Sequence, residues 1–182
     1  MRKIILAAGI TLDGYIARPD GSVDYLKMTK EAAQVIATLF STIDTIVMGR
    51  KTFDASVAMQ GGAYKSPVAI PTYVFSRTQP PGERHGVIFT NQTPASWVRK
   101  IRARSGKHVF HMGGGELARS FLEADLIDEL SLGVVPILLG EGLPLFPGGF
   151  PQRDFVLIEN KTYSKNGIAL TYARDRSRRK RK

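Results

Sequence analysis

Three short stretches carry residue types that bind anionic ligands: Gly113-Gly114-Gly115-Glu116-Leu117, Gly49-Arg50-Lys51-Thr52, and Ser76-Arg77. In the first, a glycine turn lets backbone N–H groups approach a phosphate that a Cβ would hold off, and positive φ costs glycine little. Such a turn opening a helix also aims the positive end of the helix dipole at the ligand. In the other two, arginine and lysine supply charge-assisted donors, and threonine or serine a neutral one. That is the set a phosphate monoester or diphosphate takes. Each stretch alone reads equally well as a tight or solvated turn. The glycine run is not the GxGxxG pattern of a dinucleotide-binding fold, because Glu116 and Leu117 follow its third glycine. The three together are a stronger signal than any one.

The elements that must position these stretches are strands. His108–Met112, before the glycines, is an apolar run of buried-strand length, and Leu117, Ala118, Phe121 and Leu122 after them share one helical face. Asp44–Met48 runs into Gly49, and Pro71–Phe75 runs into Ser76. Ligands of open α/β sheets bind at the carboxyl ends of the strands, so three such loops on one edge suit an extended, phosphate-bearing ligand. Ile4–Gly9 reads as a central strand buried on both faces. The segment Thr11-Leu12-Asp13-Gly14-Tyr15-Ile16-Ala17 leaves it as a natural ligand lid, ended by the turn Arg18-Pro19-Asp20-Gly21.

A helix is expected from Thr29, with Ala32, Ile36, Leu39, Phe40 and Ile43 as its apolar stripe. A second starts at Thr93, the N-cap before Pro94. Val87–Thr90, Glu129–Val135, Phe155–Asn160 and Ile168–Tyr172 are further strands, the last two flanking the turn Asn166-Gly167. Between them, Gly140–Pro151 is a glycine- and proline-rich loop whose Leu143, Leu145 and Phe146 need cover. This order predicts an α/β fold of three layers, α/β/α, with a mostly parallel sheet of about eight strands and antiparallel C-terminal strands. Residues 1–174 are expected to be one domain and 175–182 a basic tail.

Composition narrows the function classes. The 182 residues are 43% apolar and 23% charged, which is ordinary for a globular protein. No cysteine is present, so disulfides, thiolate zinc sites and cysteine nucleophiles are excluded, and an intracellular, cytoplasmic home is expected. His108 and His111 point to opposite faces of one strand, and His85 is remote in sequence, so no metal site is expected. No membrane span is expected either. Of the net charge of +10, seven cations and one acid fall in Arg174–Lys182, which reads as a solvated tail. Without a basic surface interleaved with aromatics, a nucleic-acid partner is not expected.

With these pieces in order, the chain resembles the dihydrofolate reductase superfamily, and more closely its branch containing the reductase domain of riboflavin biosynthesis. The resemblance rests on LDGYIA (Leu12–Ala17), MGRKTF (Met48–Phe53), VFSR (Val74–Arg77), GGGEL (Gly113–Leu117) and PILLGEGLPLF (Pro136–Phe146). It implies a dihydrofolate reductase-like fold and NADPH as hydride donor. Arg50, Arg77 and Ser76 would hold the adenosine 2′-phosphate. Thr52 and the N–H groups from Gly113 to Leu117 would take the pyrophosphate, with Gly49 and Lys51 beside them. Ala8, Ile16 and Ala17 would line the nicotinamide.

Folate-reducing members place a carboxylate on the first helix, behind a tryptophan-containing segment. Here the preceding segment is Val23-Asp24-Tyr25-Leu26, and the candidate acids are Asp13, Asp24 and Glu31. The implied substrate is a small heterocyclic, carbonyl or imine compound, with a ribosylamino-pyrimidine phosphate as the family's example. Lys27, Lys30, Lys51 or Lys65 could meet such a phosphate. Dihydrofolate reduction and a non-catalytic nucleotide-binding role are the alternatives. A homodimer is expected, with the 140–150 loop and the C-terminal strands near its interface.

Overall fold

The structure, a computed structural model, describes residues 1–162 and 167–177. Asn166 of the predicted turn and residues 178–182 of the basic tail lie outside them. In chain order the strands are β1 (Ile4–Thr11), β2 (Tyr15–Ala17), β3 (Ile43–Gly49), β4 (Thr72–Phe75), β5 (Gly82–Arg84), β6 (Val87–Thr90), β7 (His108–Met112), β8 (Glu129–Val135), β9 (Leu143–Pro144), β10 (Phe155–Thr162) and β11 (Ile168–Arg174). The helices are α1 (Lys30–Thr42), α2 (Arg50–Met59), α3 (Pro94–Arg102) and α4 (Gly115–Glu123).

The main sheet runs β10-β11-β8-β1-β7-β3-β4-β6-β5. The six strands from β8 to β6 are parallel, so β1, β7, β3 and β4 all end at one edge. β11 and β10 add antiparallel at one side and β5 at the other. The sheet therefore has nine strands where the sequence predicts eight. The extra one, β5, is Gly-Glu-Arg, with no apolar alternation to announce it. It is turned back onto β6 through His85 (φ 53°) and Gly86 (φ 71°), the two positive φ values that a two-residue hairpin turn requires.

Side chains alternate across the sheet and build two cores. On one face Leu6, Val47, Val109 and Leu132 pack under Trp97 and Ile101 of α3 and Phe121 and Leu122 of α4. On the other, Ile46, Met48, Val74 and Phe110 pack against Phe53 of α2, with Leu39 and Phe40 of α1 alongside. This is the expected three-layer arrangement. Local chemistry sets the helix starts: Thr29 accepts from the N–H of Ala32 (3.1 Å), and Thr93 accepts from that of Ser96 (3.3 Å) ahead of Pro94. α1 ends at Thr42, so Ile43 opens β3 and leaves the predicted helical stripe.

At the amino edge of the sheet, arginines and aspartates pair. Arg2 is buried against Asp44 and Thr45, and Arg102 meets Asp128, which also accepts from the N–H of Ile4 (2.8 Å). Arg174 pairs with Asp125 at 2.7 Å, and Arg176 with Asp128 at 3.1 Å. Of the predicted solvated tail, Arg174 is therefore turned inward and Arg176 pairs from the surface, because the end of β11 sets them beside these acids. No helix among the described residues is long and apolar enough to cross a membrane. None of their His, Asp and Glu side chains form a group of three able to hold a metal.

Candidate functional site

The carboxyl edge brings the three anion-binding stretches together. β3 ends at Gly49, which is the N-cap of α2, and β7 ends just before Gly114, the N-cap of α4; neither helix has a side-chain cap. Their first backbone N–H groups are left for another acceptor. The two helix starts touch: a Cβ added at Gly49 would lie 3.6 Å from the Cβ of Leu117, and one at Gly114 would lie 2.5 Å from Oγ1 of Thr52. Gly114, at φ 82°, is thus glycine for its own backbone and for Thr52, with or without a phosphate. A Cβ at Gly113 would meet nothing within 4 Å, so open space faces the turn there.

The side chains divide by what already engages them. Arg77 and Lys51 are exposed, and no hydrogen bond or ion pair holds either among the described residues. Arg50 gives its Nε to both oxygens of Asp54 at 2.7 Å, one helical turn on. The Ser76 hydroxyl is turned inward, accepting from the N–H groups of Thr78 (3.2 Å) and Gln79 (3.0 Å), so it shapes the loop that presents Arg77. Glu116 is exposed and pairs with Arg119 at 3.2 Å, which leaves its backbone N–H as the part turned to the helix start. Ala8, Ile16 and Leu117 are half-buried against the α3–α4 core, and Ala17 is buried.

The three candidate acids do not converge. Asp13, in the lid, accepts from the Thr11 hydroxyl (2.5 Å) and from the N–H groups of Leu139 (2.9 Å) and Gly140 (2.8 Å). Asp24 lies on the surface in a pair with Arg18 at 2.6 Å. Glu31 is exposed in the first turn of α1. All three are held below their ordinary carboxyl values, Asp13 chiefly by Thr11, Asp24 by Arg18, and Glu31 by its own backbone N–H and then Thr29. Lys27, Lys30 and Lys65 are exposed.

Three features were not legible in the residues. Tyr25 is buried, its hydroxyl reaching the carbonyl of Tyr15 at 3.4 Å, and burial raises its pKa. His111, fully buried beneath the glycine turn with its ring edge-on to Phe121, has no hydrogen bond to either ring nitrogen. Burial lowers its pKa to about 4. The loop 137–147 also joins the site: β9 pairs with β2, and the Pro144 carbonyl occupies the space where a Cβ of Gly115 would stand. The apolar pattern of Leu143, Leu145 and Phe146 asked for cover; Leu145 finds it within this chain, fully buried, while Leu143 and Phe146 remain exposed.

Comparisons with known proteins give the family and the fold. The family model described as the RibD C-terminal domain matches residues 2–168. The uncharacterized protein YyaP of Bacillus subtilis (strain 168) is 31% identical over 180 residues, covering 94% of each chain. A putative riboflavin biosynthesis protein from Shewanella sp. PV-4 superposes with a TM-score of 0.83 at 28% identity, covering 96% of this chain and 99% of that one. Dihydrofolate reductase from Enterococcus faecalis, complexed with NADP(H), superposes with a TM-score of 0.66 at 17% identity, over 95% and 96% of the two chains, and shares the fold.

Proposed function

The chain belongs to the RibD C-terminal domain family, and from that membership we propose that it is an NADPH-dependent reductase of a small heterocyclic, carbonyl or imine substrate. One observation carries the cofactor reading: two helix N-termini without side-chain caps meet at Gly114 and Thr52, with two cations unpaired among the described residues at the same edge, Lys51 in the first turn of α2 and Arg77 on the loop after β4. These groups fit a dinucleotide carrying an extra phosphate. Backbone N–H groups at Gly49–Thr52 and Gly113–Leu117 would bind the diphosphate, and Arg77 with the free end of Arg50 the 2′-phosphate. Ala8, Ile16 and Ala17 would give the nicotinamide an apolar, water-poor wall. NADPH, when bound, supplies the hydride.

A hydride delivered to C=N or C=O needs a matching proton. Asp13, Asp24 and Glu31 are each partnered and held ionised at neutral pH, so the reading takes water as the proton source. Dihydrofolate, which in the resembled enzymes relies on a carboxyl of the first helix, should then be a poor substrate. A ribosylamino-pyrimidine phosphate remains the example that the family suggests. The test is a fluorescence titration with NADPH and NADH, followed by NADPH oxidation with dihydrofolate, the pyrimidine and a panel of small carbonyls. Equal affinity for the two cofactors removes the reading. Efficient dihydrofolate turnover that Glu31→Gln abolishes would put the acid back on the first helix.

Assembly as a homodimer belongs to the same proposal. α1 has no buried residue despite its apolar stripe, and beside it a groove of about 180 Å³ opens over Ile5, Ser131, Ala169 and Thr171. Glu159 and Lys161 of β10 line it, and Val156, Leu157 and Ile158 earlier on that strand are 49–55% exposed. A self-complementary contact through α1 and β10 would cover both. Light scattering over a concentration series should give twice the chain mass; a monomer throughout refutes it.

A further inference from the structure

The Asp13 carboxylate, though exposed, already accepts three hydrogen bonds without a ligand. Two of its three bonds, from the N–H groups of Leu139 and Gly140, tie the lid to a loop 126 and 127 residues away, and the third, from the Thr11 hydroxyl, steadies the carboxylate from within its own segment. Among the described residues the two from Leu139 and Gly140 are the side-chain bonds between the two segments. Backbone bonds flank them, from the Leu12 N–H to the Ile137 carbonyl (2.9 Å) and from the Leu145 N–H to the Gly14 carbonyl (3.1 Å). Beyond Gly140 the loop runs so close that a Cβ at Gly142 would fall on the Ala17 carbonyl, and its Pro144 carbonyl sits against Gly115. The carboxylate is thus joined through one short stretch of backbone to the first residue of α4.

We propose that Asp13 is a positioning residue: it latches residues 137–147 to the lid, and their carbonyls in turn hold the glycine turn in the shape that binds the cofactor diphosphate. That the turn holds a diphosphate rests on the reductase reading; the latch itself does not. A carboxylate suits the task because one oxygen takes two backbone N–H groups while the other takes a hydroxyl. The lowered pKa agrees, since the ionised form is the one that accepts all three. Asparagine can imitate the arrangement, its carbonyl facing the two N–H groups and its amide donating to Thr11 Oγ1. Alanine cannot.

The experiment is hydrogen exchange at the Leu139 and Gly140 amides, with NADPH titration, on the wild type, Asp13→Asn and Asp13→Ala. Alanine should lose the protection of both amides and raise the NADPH Kd about tenfold, the size of a lost charged hydrogen-bond set. Asparagine should keep the protection and stay within about threefold of the wild type in Kd. Unchanged exchange in Asp13→Ala overturns the latch. Lost protection with an unchanged Kd overturns its role in positioning the turn. Asparagine as impaired as alanine shows that the charge or a proton is what matters, and also overturns it. A wild type that binds no NADPH overturns the reductase reading instead, while the exchange data still decide whether the latch exists.

Discussion

The two edges of the central sheet use the same residue types to opposite ends. At the amino edge, Arg2, Arg102, Arg174 and Arg176 each meet an aspartate of this chain, and the acids Asp125 and Asp128 are buried between them. At the carboxyl edge, Lys51 and Arg77 stand exposed and, among the described residues, unengaged, and two helix starts lack side-chain caps. A guanidinium whose partner the chain itself supplies is part of the fold. One displayed without a partner, beside unsatisfied backbone donors, is a place for an anion from outside. Residue type does not distinguish these cases; the location of the partner does.

The largest effect should come from breaking the amino edge. Asp128→Ala strips Arg102 and Arg176 of a partner and leaves the Ile4 N–H without its acceptor. Removing one member of a buried pair costs about 3 kcal/mol or more, read as a shift in the urea midpoint. NADPH affinity of the folded protein should stay within about twofold, since the lesion is at the far end of the strands. A large loss of affinity at intact stability would show that the two edges do not divide the work this way.

Next in size is the buried group under the carboxyl edge. His111 is neutral in the fold, with its pKa lowered to about 4 by burial, whereas the unfolded chain titrates near the ordinary 6.5. The unfolded state therefore takes up the proton first, and stability is complete above pH 6.5 and falls as pH drops toward 4. Between pH 7.5 and 4.5 the loss should be about 2–3 kcal/mol, at 1.36 kcal/mol per pH unit. Urea unfolding at the two pH values, with His111→Leu as control, reads it. A variant with the same slope would assign the pH dependence to the paired aspartates instead.

Arg77→Ala probes the other side of the contrast. No intramolecular partner is lost, so stability should move by no more than about 0.5 kcal/mol. NADPH should bind about tenfold more weakly and NADH as before, because only the former carries the phosphate the guanidinium would meet. A drop in thermal stability, or equal losses for both cofactors, would class Arg77 with the structural arginines.

How much of this was legible in the sequence follows from how local each feature is. His108–Met112 and Glu129–Val135 coincide with β7 and β8 because each apolar run is bounded by residues that stop a strand. Thr93 with Pro94 placed the start of α3 through its own chemistry. β5 escaped because a glycine and two charged residues at the edge leave no pattern, and the β2–β9 pair because it joins a lid to a glycine-rich loop over a hundred residues away. At the carboxyl edge the stretches could be seen but not their engagement: that Ser76 turns inward depends on the N–H groups of Thr78 and Gln79. Arg174 read as tail because its acid, Asp125, is set beside it by topology alone. Asp13 read as an acid because backbone N–H groups, its actual partners, belong to every residue type and leave no mark in a sequence.

The smallest effect tests the boundary case. Arg50 lies at the carboxyl edge, yet it is paired, through Nε, with Asp54 one turn along α2. If partner location decides function, this pair looks structural, but its surroundings say otherwise. Both side chains are over a third exposed, at 37% and 49%, and an i,i+4 surface pair is worth only about 0.3–0.5 kcal/mol. The bond also uses the inner nitrogen, leaving the two terminal nitrogens of the fork for a phosphate. Asp54→Ala should therefore change stability by less than about 0.5 kcal/mol. For NADPH two opposed terms act, since removing the acid relieves repulsion of a phosphate while the guanidinium loses a guide to its orientation. At surface dielectric each is small, so the Kd should move less than about threefold. A tenfold loss would mean that Asp54 fixes Arg50 as firmly as Asp128 fixes Arg102. An arginine could then be held by its own chain and still serve a ligand, which is the case the contrast between the edges does not contain.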